Sequence, residues 1–451
     1  MPLFRKGLIL ILLILAQASV GILLGAAFFS WTHRDRILPN VYVGETALGG
    51  LTPVEATARL AASLPREGSR VVVRAGGREW SIDLRDFGVR YHPEVTAWQA
   101  FAVGREGNLL ARLMAPLFLQ MRPRVLPHAV EAAWPVLRQW LGEVAESTGR
   151  PARDAAVVYR HGRLEREPEA QGWEMDAEAV AAEIRTMLER GRLEAVEAVG
   201  RTLEPSLKLA DLEGVRELLA AYSTSFDPGA RARSHNIRLA ARALDGAVVL
   251  PGREFSLDAR IGPRLAQNGY REAPVILNDR VVPGPGGGVC QVATTLYNAV
   301  LYAGLEVTER HPHSLPVDYV PIGRDATLAS PTIDLRFVNN TGHAIMIAAG
   351  VEGARLTVSI FGTRPFPSRT VRLEVEREVV APEVRLVEDP ALPPGAREVR
   401  VRGREGYRAR VYRLWEEDGS VVRRELVSDD LYRPVATVVA VGPARVEVPE
   451  K

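Results

Sequence analysis

The sequence predicts a multidomain α+β protein with four parts in order: an N-terminal transmembrane helix, an α+β region, an α+β domain built on a buried helix that starts at a glycine-rich cysteine motif, and an elongated β-rich C-terminal domain. Three observations carry this prediction. At 451 residues the chain exceeds one ordinary core, since domains run about 100–200 residues. An uncharged run of apolar or small residues extends from Gly7 to Trp31, long enough to cross a bilayer as a helix. Apolar residues recur at helical spacing through much of the chain, then alternate between regularly placed glycines from about Pro365 onward.

Composition narrows the function classes. With 47% hydrophobic and 25% charged residues, the chain is a folded globular protein and not a disordered one. A net charge of +2 calls for no polyanionic partner. Lys6, Lys208 and Lys451 are the only lysines, and the many arginines alternate with glutamates. That pattern describes solvated faces and excludes a nucleic-acid stripe, so no nucleic acid is expected as a partner.

Residues 1–38 read as a short cytoplasmic stub and a signal-anchor helix. Arg5 and Lys6 precede the apolar run, which ends in Phe28, Phe29, Ser30 and Trp31 instead of the small-x-small exit of a cleaved signal. Arg34 and Arg36 follow the run, so basic residues flank it on both sides. With no second run of spanning length, the expectation is a single-pass protein of the cell membrane with its bulk on the extracytoplasmic side.

The region 39–205 opens with a helix start in which Thr52 caps, Pro53 takes the first position and Glu55 closes a capping box. Two hairpins are expected, one around Gly76 and Gly77, the other around His161 and Gly162. Val95 to Ala115 and Ala129 to Glu146 are expected to be helical, as is the stretch from Asp176 through Leu188.

The chemistry concentrates in 206–364. Gly286, Gly287 and Gly288 precede Val289 to Ala303, where Val292, Leu296, Ala299, Val300 and Ala303 fall at helical spacing and Gly304 supplies a stop. Cys290, the only cysteine, therefore sits in the first turn of a buried helix. Free N–H groups and positive potential there lower a thiol's pKa and can hold an oxyanion, while Gly287 and Gly288 let a substrate backbone approach closely. Gln291 adds a polar contact beside the nucleophile, chiefly through its backbone N–H. About 22 Å of helix is matched by about 20 Å of extended chain from Leu305 to Arg310, which returns His311 and His313 to the level of the thiol on one side of the strand. A histidine base needs an orienting acceptor, for which Asp325 is the first candidate and Asn236 and His235 the next. Tyr297 and Tyr319 are expected to line the pocket. Two blander readings stand beside this one: a lone helical cysteine is often a small buried hydrophobe, and Cys290 with His311, His313 or His235 is a sparse zinc set whose spacing argues against a metal.

The blocks Ser234-His235-Asn236-Ile237, Pro251 to Ser256, Gly269-Tyr270, Gly286 to Asn298, Glu309 to Ser314, Tyr319 and Gly323 to Thr327, taken in order, resemble the VanW family. The Gly49-Gly50-Leu51-Thr52-x-x-Glu55-Ala56 pattern is similar to peptidoglycan-binding repeats that often precede VanW domains. Its plain alternative is an α+β spacer. Gly395, Gly403, Gly406, Gly419 and Gly442, with the ending Leu426-x-Ser428 through Tyr432-x-Pro434, make 365–451 resemble the five-glycine domain of cell-wall proteins. These resemblances imply a bacterial cell-envelope protein tied to peptidoglycan and to glycopeptide-resistance gene clusters. They further imply a cysteine-dependent L,D-transpeptidase that works without a cofactor. Its partners would be peptidoglycan stem peptides, with glycan as a further ligand of the flanking domains. The family block Arg310-x-x-His313-Ser314 favours His313 over His311 as base. Two other outcomes fit the same resemblance: an endopeptidase or carboxypeptidase with water as acceptor, and a non-catalytic wall-binding protein.

Overall fold

Thr52 and Glu55 close the expected capping box: the Thr52 side chain accepts from the Glu55 N–H at 3.3 Å, and the Glu55 carboxylate accepts from the Thr52 N–H at 2.8 Å. A computed structural model describes residues 2–66, 68–277, 280–366 and 368–443. The last residues of the C-terminal domain, 444–451, lie outside the described residues. The chain forms two compact units, one from Met1–Arg153 with Gln171–Glu204, the other from Asp154–Ala170 with Pro205–Lys451.

In the first unit the apolar helix runs Pro2–Thr32. A three-stranded sheet pairs the hairpin Arg70–Ala75 and Arg78–Asp83 with a parallel strand, Ala195–Glu197. The helices Trp134–Thr148 and Ala177–Glu189 bury Leu137, Leu141, Val144, Val180, Ile184 and Leu188 with Val71 and Val73 in one core. Two helix expectations need correction. The stretch Val95 to Ala115 is broken into Pro93–Ala102 and Leu109–Met121, because Gly104 and Gly107 take φ of 76° and 92°, a backbone that a right-handed helix cannot contain. The second helix begins only at Trp134, since Val130–Glu131 is a strand paired with Arg90–Tyr91.

The hairpin Ala156–Arg160 and Arg163–Glu167, read from sequence as part of the N-terminal region, packs in the second unit. Its Ala155 and Val157 join Leu212, Val215, Ala344, Met346, Ala348 and Phe361 in a buried cluster. The centre of this unit is an antiparallel sheet in the order Glu217–Ser225, Arg355–Gly362, Ile345–Glu352, Ala247–Val249. Two helices, Arg231–Leu244 and Val289–Tyr302, pack against that sheet and against each other. In the second of them Val292, Ala293, Leu296, Tyr297, Ala299 and Val300 are all 0% exposed, so the helix is surrounded by core on every side. Truncating Leu296 to Ala is expected to cost about 2–5 kcal/mol. After the helix the chain returns along Glu306–Glu309, antiparallel to Arg336–Val338. The C-terminal part adds a long antiparallel sheet, Arg369–Val380, Gly406–Glu417 and Ser420–Tyr432, and a second sheet in which Thr437–Val441 lies between Val384–Glu388 and Arg397–Val401.

Candidate active site

Gly288 is the N-cap of the Val289–Tyr302 helix and makes no side-chain cap, so the N–H groups of the first turn need other acceptors. Val289 and Gln291 donate back to the carbonyls of Gly286 and Gly288, each at 3.0 Å. The Cys290 N–H makes no such bond among the described residues. Cys290, second residue of the helix, is half-buried and lines an open groove of about 1410 Å³ together with Gly286, Gly287, Gly288, Gln291, His313 and Tyr319. That volume exceeds the roughly 300–1,000 Å³ of a small-molecule pocket and suits a peptide.

Three loops meet at the thiol because the helix laces them down. Thr294 and Asn298, one turn apart, hold the Gly323–Thr327 segment: Ala326 N–H donates to Thr294 Oγ1 at 2.9 Å, and Asn298 Nδ2 donates to the Arg324 carbonyl at 2.8 Å. The neighbouring loop is tied to the same segment by Thr327 N–H donating to the His311 carbonyl at 2.8 Å. Asp325 is thereby presented to His313, whose backbone N–H and Nδ1–H both donate to Asp325 Oδ2, at 2.7 and 2.6 Å. Cys290 and His313 line the same groove, and the Cys290 thiol donates to the Leu328 carbonyl at 3.7 Å.

The electrostatics follow from that geometry. Burial opposes ionisation of the Cys290 thiol, yet the hydrogen bond and positive charge of His313, with Arg264 beyond, pull its pKa below the ordinary thiol value. Burial alone would depress His313, but the hydrogen bonds to Asp325 and Cys290 and the charges of both raise it to about 9. Asp325 is 1% exposed. Burial works against its charge, and the His313 hydrogen bond and the Arg310 guanidinium more than offset this, holding it below the usual carboxylate range. The arrangement can carry a thiolate–imidazolium pair near neutral pH, which is the state a cysteine nucleophile needs.

The other sequence candidates divide. Gln291 is 1% exposed and spends its side chain on structure, with Nε2 donating to Thr224 Oγ1 and the Ser225 carbonyl, both at 2.9 Å, and Oε1 accepting from Arg233 at 2.7 Å. Tyr319 lines the groove. Tyr297 does not: it is buried in the core with the Arg310 guanidinium over its ring at 5.2 Å. His311 is exposed beside Glu309 at 3.8 Å and outside the groove. The strand ends at Glu309, and beyond it the two histidines do not share a side: His313 is buried and His311 exposed. Asn236 is fully buried, its amide clamped to the Arg271 backbone and the Gly287 carbonyl, and His235 donates to the Gly269 carbonyl at 2.9 Å. Asn236 thus holds the glycine loop from behind, and neither residue lines the groove. The sparse zinc set is not assembled, and among the described residues no cluster of metal-ligating side chains occurs.

Sequence reasoning missed four groups. Arg310 donates Nε to the Asp325 carbonyl at 2.7 Å and reaches Asp325 Oδ1 at 3.4 Å; its place beside the histidines was the available signal. Arg233 lines the groove over Tyr319 at 5.9 Å, and among the described residues no carboxylate pairs with it. Arg264 lines the groove and is paired with Asp258. Tyr432 donates to Asp325 Oδ1 from 107 residues away, a separation at which no local pattern gives warning.

Comparison with known proteins gives three family matches: "VanW like protein" over residues 232–361, "G5 domain" over 371–444, and "Putative peptidoglycan binding domain" over 80–196. The chain is 40% identical over 151 residues to Uncharacterized protein YoaR of Bacillus subtilis, covering 34% of this chain and 50% of that one. It is 25% identical over 134 residues to Vancomycin B-type resistance protein VanW of Enterococcus faecalis, covering 29% of this chain and 49% of that one. The chain thus spans about half the length of the curated relatives it matches. Among solved structures, it is similar to the G5 domain of IgA1 protease, with 23% identity, TM-score 0.16 and coverage of 17% of this chain and 92% of that one. It is also similar to HP0197-G5, with 22% identity, TM-score 0.14 and coverage of 16% and 97%. The three family matches together give the chain a cell-envelope role. Its central segment is a VanW-like segment, preceded by a match to a putative peptidoglycan binding domain and followed by a match to a G5 domain.

Proposed function

We propose that this protein is a cysteine-dependent acyl transferase of the L,D-transpeptidase type, held at the outer face of the cell membrane by its apolar N-terminal helix and acting on peptidoglycan stem peptides. The observation that carries this reading is the Cys290–His313–Asp325 constellation, opening onto a peptide-sized groove at the start of a buried helix. The Cys290 thiolate attacks the carbonyl carbon that precedes the terminal residue of a donor stem. The oxyanion that forms is received by the Cys290 N–H and the positive end of the helix. As the C–N bond breaks, protonated His313 gives its proton to the departing amine, leaving a thioester on Cys290. His313, now neutral, takes a proton from the amine of a second stem as that amine attacks the thioester. A new amide forms, the C–S bond breaks and the thiolate returns. Arg233, a cation in the groove without a carboxylate partner among the described residues, supplies the charge that would hold the free carboxylate of the departing residue. Asp325 keeps His313 in the tautomer that points Nε2 at the thiol.

The test is incubation of the purified protein with disaccharide-tetrapeptide muropeptides, followed by mass spectrometry. The unaltered protein should yield 3-3 linked dimers and a thioester adduct on Cys290, and Cys290→Ala should yield neither while folding normally. Dimer formation by Cys290→Ala would end the reading. Loss of the terminal residue without dimer would replace transfer to an amine with transfer to water, and no turnover by either protein would leave a wall-binding role.

A further inference from the structure

We infer that the C-terminal G5 domain is part of the VanW active site: Tyr432 is a positioning residue that orients Asp325, and Asp430 is the counter-ion that governs how strongly Arg310 acts on it. The inference rests on the reading of Cys290, His313 and Asp325 as a reactive constellation.

A carboxylate has two oxygens, and here each is gripped from a different part of the chain. Among the described residues, Oδ2 of Asp325 accepts only from His313, at the backbone and the ring. Oδ1 accepts the Tyr432 hydroxyl and, at 3.4 Å, Arg310 Nη2. The Tyr432 hydroxyl is itself directed, because it accepts the Gly323 N–H at 3.0 Å and so has its proton left for Asp325. Held at both ends, the carboxylate cannot turn away from His313.

Arg310 ties the two domains a second time. Its Nη1 donates to Asp430 Oδ2 at 2.5 Å while its Nε and Nη2 donate to the carbonyls of Asp325 and Gly323, at 2.7 and 3.2 Å. The side chains of Arg310 and Asp430 are 5% and 9% exposed. Burying a charged pair at this seam costs desolvation that packing alone would avoid, so a domain that served only as a tether would have no need of it. The seam is closely fitted: a Cβ on Gly323 would come within 2.8 Å of Val411 Cγ2, and one on Gly304 would collide with the Trp415 ring. Arg413 closes it further by donating to the Leu305 carbonyl at 2.8 Å.

The charged and titratable groups facing the His313–Asp325 pair come from every side. Cys290 and Arg264 face it from the groove, Tyr319 from the loop after His313, and Tyr297 and Arg310 from the core helix and the returning strand. Tyr432 and Asp430 face it from the G5 domain. The last two are the only ones that the G5 domain contributes among the described residues, and they act with opposite sign. The Tyr432 hydroxyl draws carboxylate charge away from His313. Asp430 neutralises Arg310 and leaves more of that carboxylate charge to His313.

The experiment measures alkylation of Cys290 by iodoacetamide against pH in the full-length protein. Cys290 is the sole cysteine, so the rate reports this thiol alone, and no substrate is needed, which separates the result from whether the protein makes cross-links. The readout is the pH of the step at which His313 loses its proton. Tyr432→Phe should move the step upward and Asp430→Asn should move it downward, each by about half a pH unit, with thermal midpoints recorded for both. Opposite displacements support the inference. Profiles that coincide with the unaltered protein overturn it, as do shifts of both variants in the same direction with lowered thermal midpoints, which is what a merely structural seam would give.

Discussion

At Cys290 two effects pull against each other, and the sign of the result depends on one neighbour. Burial disfavours the thiolate, and the imidazolium of His313 favours it by more. Replacing His313 by Gln removes the largest influences that oppose burial, so alkylation of Cys290 at pH 7 should slow by at least about tenfold, the factor that one pKa unit carries. A rate unchanged in His313→Gln would remove His313 from the site. His311→Ala should leave the rate as it was, because that ring lies outside the groove beside Glu309. The same pair makes stability depend on pH in a definite direction. The folded pKa of His313, about 9, lies above its ordinary value of 6.5. Its contribution is therefore complete below about pH 6.5 and is lost as pH rises through about 9. Asp325 has a lowered pKa, so its contribution is present above about pH 4 and is lost on acidification. Urea unfolding at pH 6 and pH 10 should show His313→Gln destabilised by up to about 3 kcal/mol at the lower pH and by clearly less at the higher. Equal losses at both would contradict this account.

At the level of the element, the start of the Val289–Tyr302 helix depends on Gly288. Its φ is +104°, and a Cβ there would approach Arg233 Cγ to 2.9 Å and Ile237 Cγ1 to 3.0 Å. Gly288→Ala is therefore expected to cost about 2–4 kcal/mol in chemical denaturation, from backbone strain and local overpacking together. It should also slow Cys290 alkylation, because the first turn would shift relative to His313. An alanine variant of full stability would show that the turn has another conformation available. The helix also explains why Asp325 is where it is: Thr294 and Asn298 are buried polar residues, and each uses its side chain on the backbone of the Asp325 loop.

At the scale of the molecule, a hairpin from the middle of the N-terminal stretch belongs to the unit that holds the site. Ala155 and Val157 cover Met346, Ala348 and Phe361, and Asp154 accepts from the Ser206 and Leu207 N–H groups at 2.5 and 3.0 Å. Burying a valine is worth about 1.5–3 kcal/mol. A fragment of residues 205–451 should thus melt several degrees below one in which residues 154–170 are joined to it by a short linker, as read by differential scanning fluorimetry. Equal midpoints would mean that the hairpin only rests on the sheet. Residues flanking the VanW match on both sides, 154–170 before it and the G5 domain after it, are therefore part of the body that presents Cys290.

Much of this protein is written locally. The capping box at Thr52, the apolar period of the cysteine helix and the alternation after Pro365 are short-range patterns, and each marks its element because side-chain spacing and backbone geometry act over a few residues. Gly286 to Cys290 and the returning Arg310 to Ser314 point to the nucleophile and its neighbour for the same reason. What needed the folded chain was everything set by distance in space. Two histidines two residues apart were separated into one buried against Asp325 and one exposed. Asn236 and Tyr297 were turned into supports by the core around them. The second grip on Asp325 came from Tyr432, 107 residues away, where only packing between domains decides which side chain meets which.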